Sequence, residues 1–362
     1  MTAQQRMGIA VAAGLAVMLA IGVWLLSATP GALVNDGLLR LGPAVQPDAE
    51  AIFVDIEPGE GARQIAEKLE NTGVIESARA FRVLAAFMGV GDELAAGRYE
   101  FQPGTTAIVA VQRISQGITS SRSVTIREGL RSEEIGELLE REGIVSAAAF
   151  REALAETYAA SFLAELPAGA SLEGFLFPAT YQLPLEITAH EVVQRLLTAF
   201  DARYQESIAP LLAESGQSLS DAVNLAAIVE REAQVPGERP TIASVFANRL
   251  SIGMGLQADP TVQYAVAEDP ASVEQYGYWK LELTVADLAI DSPYNTYQYT
   301  GLPPAAIANP GLDSLLAAAA PADTGYFYFV ACGDGSGSHV FAETLEEHNQ
   351  NVDAANRGEC ES

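Results

Sequence analysis

Cysteine, histidine and basic side chains are all scarce in this 362-residue chain, and each scarcity excludes a class of function. Two cysteines, Cys332 and Cys360, rule out a disulfide framework, and their spacing leaves open whether they pair. Three scattered histidines, His190, His339 and His348, with no HExxH run, give no support to a catalytic metal, so no cofactor is expected. Only 20 Lys and Arg stand against 47 Asp and Glu, for a formal charge of −27. Such a surface repels nucleic acid and anionic headgroups. The glycine-rich run Gly333–Ser338 lacks the spacing of a phosphate cradle and reads as a hairpin turn between Tyr326–Val330 and His339–Phe341.

The length allows two or three domains. Met7–Leu26 is an uncharged run of the length that crosses a bilayer. Ser27-Ala28-Thr29 offers a cleavage site of the signal-peptide kind, but the length of the run and Trp24 at its end favour an uncleaved anchor. The expected placement is a single-pass protein of the cell membrane with its bulk outside the cytoplasm. Residues 30–50, rich in proline and glycine, read as a spacer.

An internal repeat follows. Val54-Asp-Ile-Glu-Pro-Gly59, Ile65, Leu69 and Phe81 return as Val124-Thr-Ile-Arg-Glu-Gly129, Ile135, Leu139 and Phe150, about 70 residues on. Each copy predicts a strand, a glycine turn, an amphipathic helix and a second helix opened by Ser77 or Ser146. Gly97–Phe101 reads as the returning strand of the first copy, with Phe175-Leu-Phe177 as its loose counterpart in the second. These units resemble LysM modules, which bind N-acetylglucosamine-containing wall glycan; a rigid spacer is an equal reading.

Leu225–Val229 is apolar on every side of a helix, and Ser218 with Asp221 caps its start. Glu230 arrives at the end of that helix. It is either a general acid on a buried element or a helix-end charge paired with Arg249. Pro240 opens the next helix, through Ile242, Val245, Phe246 and Leu250 to a stop at Gly253, and Leu256–Tyr264 reads as an irregular polar segment. Asp291–Pro304 is a loop rich in Tyr, Asn and Pro, and Asn309-Pro310 caps a helix over Leu312–Ala319.

AAIVEREA around Glu230, SVFANRLSIGM at Ser244–Met254, LQADPTVQY at Leu256–Tyr264, SLEGFLFPATY at Ser171–Tyr181, and the SPYNTY and TGLPP segments resemble the YceG-like family, the endolytic murein transglycosylases known as MltG. The resemblance runs from about Phe53 to Val352. It implies an α+β protein with an N-terminal transmembrane helix, tandem LysM-like α/β modules and a mixed α+β catalytic domain. The expected divisions are 1–29 tail and membrane helix, 30–50 spacer, 51–120 first module, 121–170 second repeat unit and 171–356 catalytic domain.

The implied activity is cleavage of the β-1,4 bond between N-acetylmuramic acid and N-acetylglucosamine within a strand, leaving 1,6-anhydro ends. Glu230 would be catalytic. Glu173, Tyr181, Gln257, Asp259, Tyr294, Asn295 and Tyr297 would bind substrate. Peptidoglycan, the membrane and wall-synthesis proteins are the implied partners, and nucleic acid is not among them. Two other readings remain at this stage: a non-catalytic wall-binding anchor, and a hydrolase with Glu173, Glu238 or Asp259 as second carboxylate.

Overall fold

The computed structural model describes residues 51–91, 93–117, 120–167 and 169–360, so the Met7–Leu26 run and the 30–50 spacer lie outside the described residues. No helix among the described residues is long and apolar enough to cross a membrane. Among the described residues the architecture is α+β, with many helices and three two-stranded antiparallel sheets. The chain divides into two compact units, one ending at Ser120 and the other beginning at Ser121.

The first unit is a β-α-α-β arrangement. Strand β1 (Ile52–Ile56) pairs with β2 (Gly97–Phe101), with Val54 opposite Tyr99, and helices α1 (Ala62–Asn71) and α2 (Ala78–Phe87) lie between them in sequence. A third helix, α3 (Ala107–Ser115), closes it. The apolar faces of these elements meet in one core of Val54, Ile56, Ile65, Leu69, Phe81, Tyr99, Phe101, Val111 and Ile114. Ser77 caps α2 by accepting the Ala80 N–H, as its position in the sequence predicts.

The second unit opens with the same plan. Strand β3 (Ser121–Thr125) is followed by α4 (Ser132–Arg141), α5 (Ala147–Ala153) and β4 (Thr180–Pro184). Val124 stands opposite Tyr181, as Val54 stands opposite Tyr99. In both copies the tyrosine hydroxyl donates to the carbonyl four residues back, Tyr99 to Ala95 and Tyr181 to Phe177. The returning strand is therefore Thr180–Pro184, not Phe175–Phe177. Those aromatics are buried in a turn, where Phe175 stacks on Phe162. The core also continues across the expected 170/171 division: Val124, Ile135, Leu139 and Phe150 belong to one cluster with Phe200, Leu225, Ile228 and Phe246.

Helix α6 (Ala189–Arg203) continues through a π turn, Tyr204–Ile208, into α7 (Ala209–Ser215). Next comes α8 (Leu219–Glu232), capped by Ser218 and buried on all sides from Ala222 to Val229. It packs against α9 (Arg239–Ser251) and, after α10 (Asp259–Val266), α11 (Pro270–Tyr276) and α12 (Val285–Leu288), most extensively against α13 (Leu312–Ala319). Both helices carry buried alanines, Ala226 and Ala227 on one and Ala317–Ala319 on the other, small side chains that suit close helix packing. The segment 256–264 is not irregular throughout. Asp259 and Pro260 occupy the first helical positions of α10, where an acidic residue and proline are favoured, and Val262, Ala265 and Val266 are buried.

The hairpin β5 (Tyr328–Ala331) and β6 (His339–Ala342) packs on α9 through Phe329 against Phe246. Helix α14 (Leu345–Arg357) covers it, and Cys332 and Cys360 form a disulfide that ties the chain end to the hairpin. Closing a loop of 28 residues in this way stabilises by about 3–4 kcal/mol on the chain-entropy account.

Candidate active site

Three helix ends converge on Glu230: the C-terminal end of its own α8, the first residue of α9, and the N-terminus of α13. Glu230 Oε2 accepts the Gly311 N–H at 3.0 Å and the Ser314 hydroxyl at 2.7 Å. Gly311 is the N-cap of α13 and offers no side chain to cap it, so the Glu230 carboxylate performs that role from another element. Arg239, buried at the start of α9, donates Nε to Ser314 Oγ at 3.0 Å and brings Nη2 to 3.4 Å from Glu230 Oε1. Oε2 is thus fastened by two short bonds, while Oε1 has one long contact. Glu230 remains 8% exposed at its side chain.

The partner differs from the expected one. Arg249 turns away, donating to the carbonyls of Phe327 and Leu256 at 2.6 Å each. Glu230 pairs with Arg239 instead, nine residues along, because Pro236–Glu238 forms a short turn that folds the start of α9 back onto α8.

Arg231 lies over the Trp279 ring at 3.8 Å and reaches the Gly129 carbonyl at 3.5 Å. Its burial lowers the guanidinium from its usual range. Arg131 is stacked on Tyr264 at 3.9 Å, and Tyr264 lies 4.6 Å from Tyr294. Trp279 is fixed by its indole N–H to Glu134 at 3.0 Å. A series of aromatic and guanidinium contacts therefore runs from Arg231, the residue after Glu230, through Trp279 and Arg131 to Tyr264 and Tyr294.

The residues expected to bind substrate fall into several groups. Gln257, Asp259 and Tyr297 come together: the Gln257 N–H donates to Thr296 O, and the Tyr297 hydroxyl donates to Asp259 at 2.7 Å. Gln257 is exposed with φ +50°, a left-handed backbone that costs a non-glycine residue roughly 1–3 kcal/mol. This group gathers near Glu232, whose carboxyl is pushed up to about 8, chiefly by burial and then by Asp259. Residues two apart on a helix lie about 200° around its axis, so Glu232 and Glu230 face opposite ways.

Asn295 is fully buried, and its amide donates to the Leu288 and Ile290 carbonyls while its oxygen accepts the Tyr297 N–H. Every hydrogen-bonding group it has serves the loop, which leaves none for a sugar. Tyr181 is equally committed, on β4, to Phe177.

Glu173 is a structural carboxylate. It accepts the Ser132 N–H at 3.1 and 3.0 Å, the Ser132 hydroxyl at 2.6 Å and the Asn309 amide at 2.6 Å, capping α4 from another element. It borders an open pocket with Ser171, Ser220, Val223 and Ala306 at the N-terminal end of α8. Ser220 lies ten positions before Glu230, about 15 Å along the helix, so this pocket is not at Glu230.

Burial pushes the Glu173 carboxyl up to about 7, against the Ser132 donors that favour its anion. Its folded pKa is above its unfolded one, so the folded state holds the extra proton and its contribution is fully present below about 4.5. That contribution is lost as pH rises through about 7. Denaturant unfolding at pH 5 and pH 8 is expected to show the unsubstituted protein losing roughly 2.5 kcal/mol relative to Glu173→Gln over that interval. Parallel pH dependences for the two proteins would refute a buried, proton-binding Glu173.

Sequence reasoning missed Arg239, Ser314, Gly311 and Trp279, and it placed the Asn309 amide as a helix cap. Asn309 instead accepts the Gly174 and Leu176 N–H groups at 2.8 and 2.9 Å and donates to Leu130 O and Glu173. The cap position belongs to Gly311.

The YceG-like family matches residues 54–354. A Bacillus subtilis (strain 168) protein named endolytic murein transglycosylase is 32% identical over 330 residues, 87% of this chain and 87% of that protein. One of the same name from Streptococcus pneumoniae serotype 2 is 26% identical over 325 residues, covering 83% of this chain and 58% of the streptococcal protein. Among solved structures, a YceG-like protein from Listeria monocytogenes matches at 30% identity and a TM-score of 0.54, over 83% of this chain and 99% of that one.

Proposed function

The chain belongs to the YceG-like family, and from that premise we propose that it cleaves peptidoglycan strands internally as a lytic transglycosylase, with Glu230 carrying both proton transfers. The observation that carries the residue assignment is the asymmetry at Glu230. Gly311 N–H and Ser314 Oγ hold Oε2, and Oε1 keeps only the 3.4 Å contact to Arg239. Oε1 is therefore the oxygen that exchanges a proton with a substrate.

In the first half of the reaction, protonated Glu230 gives its proton to the glycosidic oxygen. The C1–O bond breaks with its electron pair passing to that oxygen. In the second half, the muramoyl C6 hydroxyl closes onto C1, and its proton passes to the Glu230 carboxylate. Proton and electron pairs balance without water, and the enzyme is returned to its starting state. The anion formed midway meets Gly311 N–H, Ser314 and Arg239, already in place at the N-terminus of α13. General acid–base work of this kind is worth about 10²–10⁴-fold.

The finer elements belong to the same proposal. Residues 1–29 are read as the tail and membrane anchor, Glu230 as lying outside the cytoplasm, and the two β-α-α-β units as LysM-like. The Cys332–Cys360 disulfide supports an oxidising compartment, where such bonds persist. Membrane and wall-synthesis proteins remain proposed partners. Digestion of purified glycan strands followed by mass spectrometry tests the chemistry. Internal fragments ending in 1,6-anhydro-muramic acid are expected; reducing ends would establish a hydrolase, and intact strands a binding protein.

A further inference from the structure

The two β-α-α-β copies differ at the residue before the turn glycine. The first carries Pro58 before Gly59 and the second carries Glu128 before Gly129. The second turn is folded onto Glu230: the Gly129 N–H donates to Asn309 O at 2.8 Å, and a Cβ built on Gly129 would lie 3.6 Å from Glu230 Cγ. Glu128 lies across Gly311 so closely that a Cβ there would fall 2.0 Å from Glu128 Oε1. Gly311 is the residue whose N–H holds Glu230. Two carboxylates from distant parts of the chain are thus seated at one glycine.

Their situations differ. Glu230 is largely buried and fastened by three donors, whereas Glu128 is exposed and no donor among the described residues hydrogen-bonds it. The charged groups facing Glu128 are Glu230 from α8, Arg239 from α9 and Asp313 from α13. Its carboxyl lies above the ordinary range, first through partial burial, then through the charges of Glu230 and Asp313, with Arg239 opposing. The other carboxylates considered as partners for Glu230 are engaged elsewhere: Glu173 at Ser132 and Asn309, Glu238 at His339, and Asp259 at Tyr297.

Resting on the reading of Glu230 as the acid–base group, we propose that Glu128 is a second catalytic carboxylate of this site, facing the sugar ring and stabilising the positive charge that develops at C1 and the ring oxygen. Glu128 forms no bond and moves no proton; both transfers remain with Glu230. A fixed anion beside a charge that exists only in the transition state acts on kcat more than on binding. Since Glu128 works ionised, and its proton is held above the usual carboxylate range, turnover falls on the acid side of the optimum as Glu128 protonates.

Steady-state kinetics on purified glycan strands across pH, for Glu128→Gln, Gly311→Ala and Glu230→Gln, test this. Glu128 is exposed, so Glu128→Gln is expected to melt with the unsubstituted protein and keep KM within about threefold. It should lose about 10²-fold in kcat and the acid limb of its kcat profile. Gly311→Ala leaves the Glu128 side chain in the protein but displaces it, and should lower kcat in the same direction. A Glu128→Gln protein within threefold of the unsubstituted kcat at every pH, or one changed only in KM, overturns the proposal. If Glu128→Gln is fully active and Glu230→Gln is inactive, only the role of Glu128 falls. If Glu230→Gln keeps turnover, the acid–base assignment beneath it falls too.

Discussion

Glu230→Gln is expected to give a folded, glycan-binding protein that releases no anhydro-ended products, a loss of at least about 10²-fold in turnover. Glutamine matches glutamate in shape, and its carbonyl oxygen can still accept the Gly311 N–H and the Ser314 hydroxyl, so the N-terminus of α13 stays capped. The side-chain amide then faces Arg239 with hydrogens toward a cation, a modest local penalty. What glutamine cannot do is give a proton at Oε1 and take one back. Were Glu230 only a structural partner of Arg239, the effects would be reversed: a lowered melting temperature with turnover per folded molecule within a few-fold. Thermal melts beside chromatography of the cleaved strands separate these outcomes. Substantial anhydro product from a well-folded Glu230→Gln protein would refute the assignment.

Much of this arrangement is legible in the chain because it is local. The all-round apolar run Leu225–Val229, the Ser218 cap and Pro240 mark two helices that flank Glu230, and all three behave as their positions predict. The repeat is legible for the same reason, since strand and helix periodicities recur with their caps. The commitments of polar side chains are another matter. Gln257, Asp259 and Asn295 carry the side chains that sugar recognition uses; the buried Asn295 amide is committed to its own loop, whereas Asp259 stays exposed and accepts the Tyr297 hydroxyl through one oxygen. Local sequence does not reveal which polar groups a fold will satisfy internally.

Arg239, Ser314 and Glu128 were invisible for the complementary reason. They lie 9, 84 and 102 positions from Glu230 and meet it only through packing of α9, α13 and the β3 turn against α8. A signal for Glu128 did exist. The two repeat copies keep most of their apolar positions and the turn glycine, and where the first has Pro58 the second has Glu128, a titratable side chain at the turn that the fold brings to Gly311.

Asn309→Ala is expected to be among the most destabilising single substitutions in the second unit, by about 3–5 kcal/mol. The side chain is fully buried and satisfies the N–H groups of Gly174 and Leu176, the Leu130 carbonyl and one oxygen of Glu173. Alanine fits the space but leaves two buried N–H groups without acceptors, each costing about 1–3 kcal/mol, and removes a donor from a buried carboxyl. The Gly174 turn offers little room to adjust: its φ is +93°, and even a Cβ there would lie 2.6 Å from Val223 and 2.7 Å from Ala306.

The consequence reaches the chemistry. Asn309 O also holds the Gly129 N–H, and two residues later Gly311 presents its N–H to Glu230. Loosening Asn309 therefore shifts both the Glu128 turn and the cap of α13. Chemical denaturation at pH 7 should show the lower midpoint with an unchanged m-value, and the fraction that remains folded should turn over more slowly, with the loss in kcat. Asn309→Asp separates the two effects: it keeps acceptors for Gly174 and Leu176 but sets a second carboxylate against Glu173. It should recover stability at pH 5, where a shared proton joins the pair, and lose it again at pH 8. An unfolding free energy for Asn309→Ala within about 1 kcal/mol of the unsubstituted protein would show that the buried amide is dispensable, and that Gly311 is held in place by α13 packing alone.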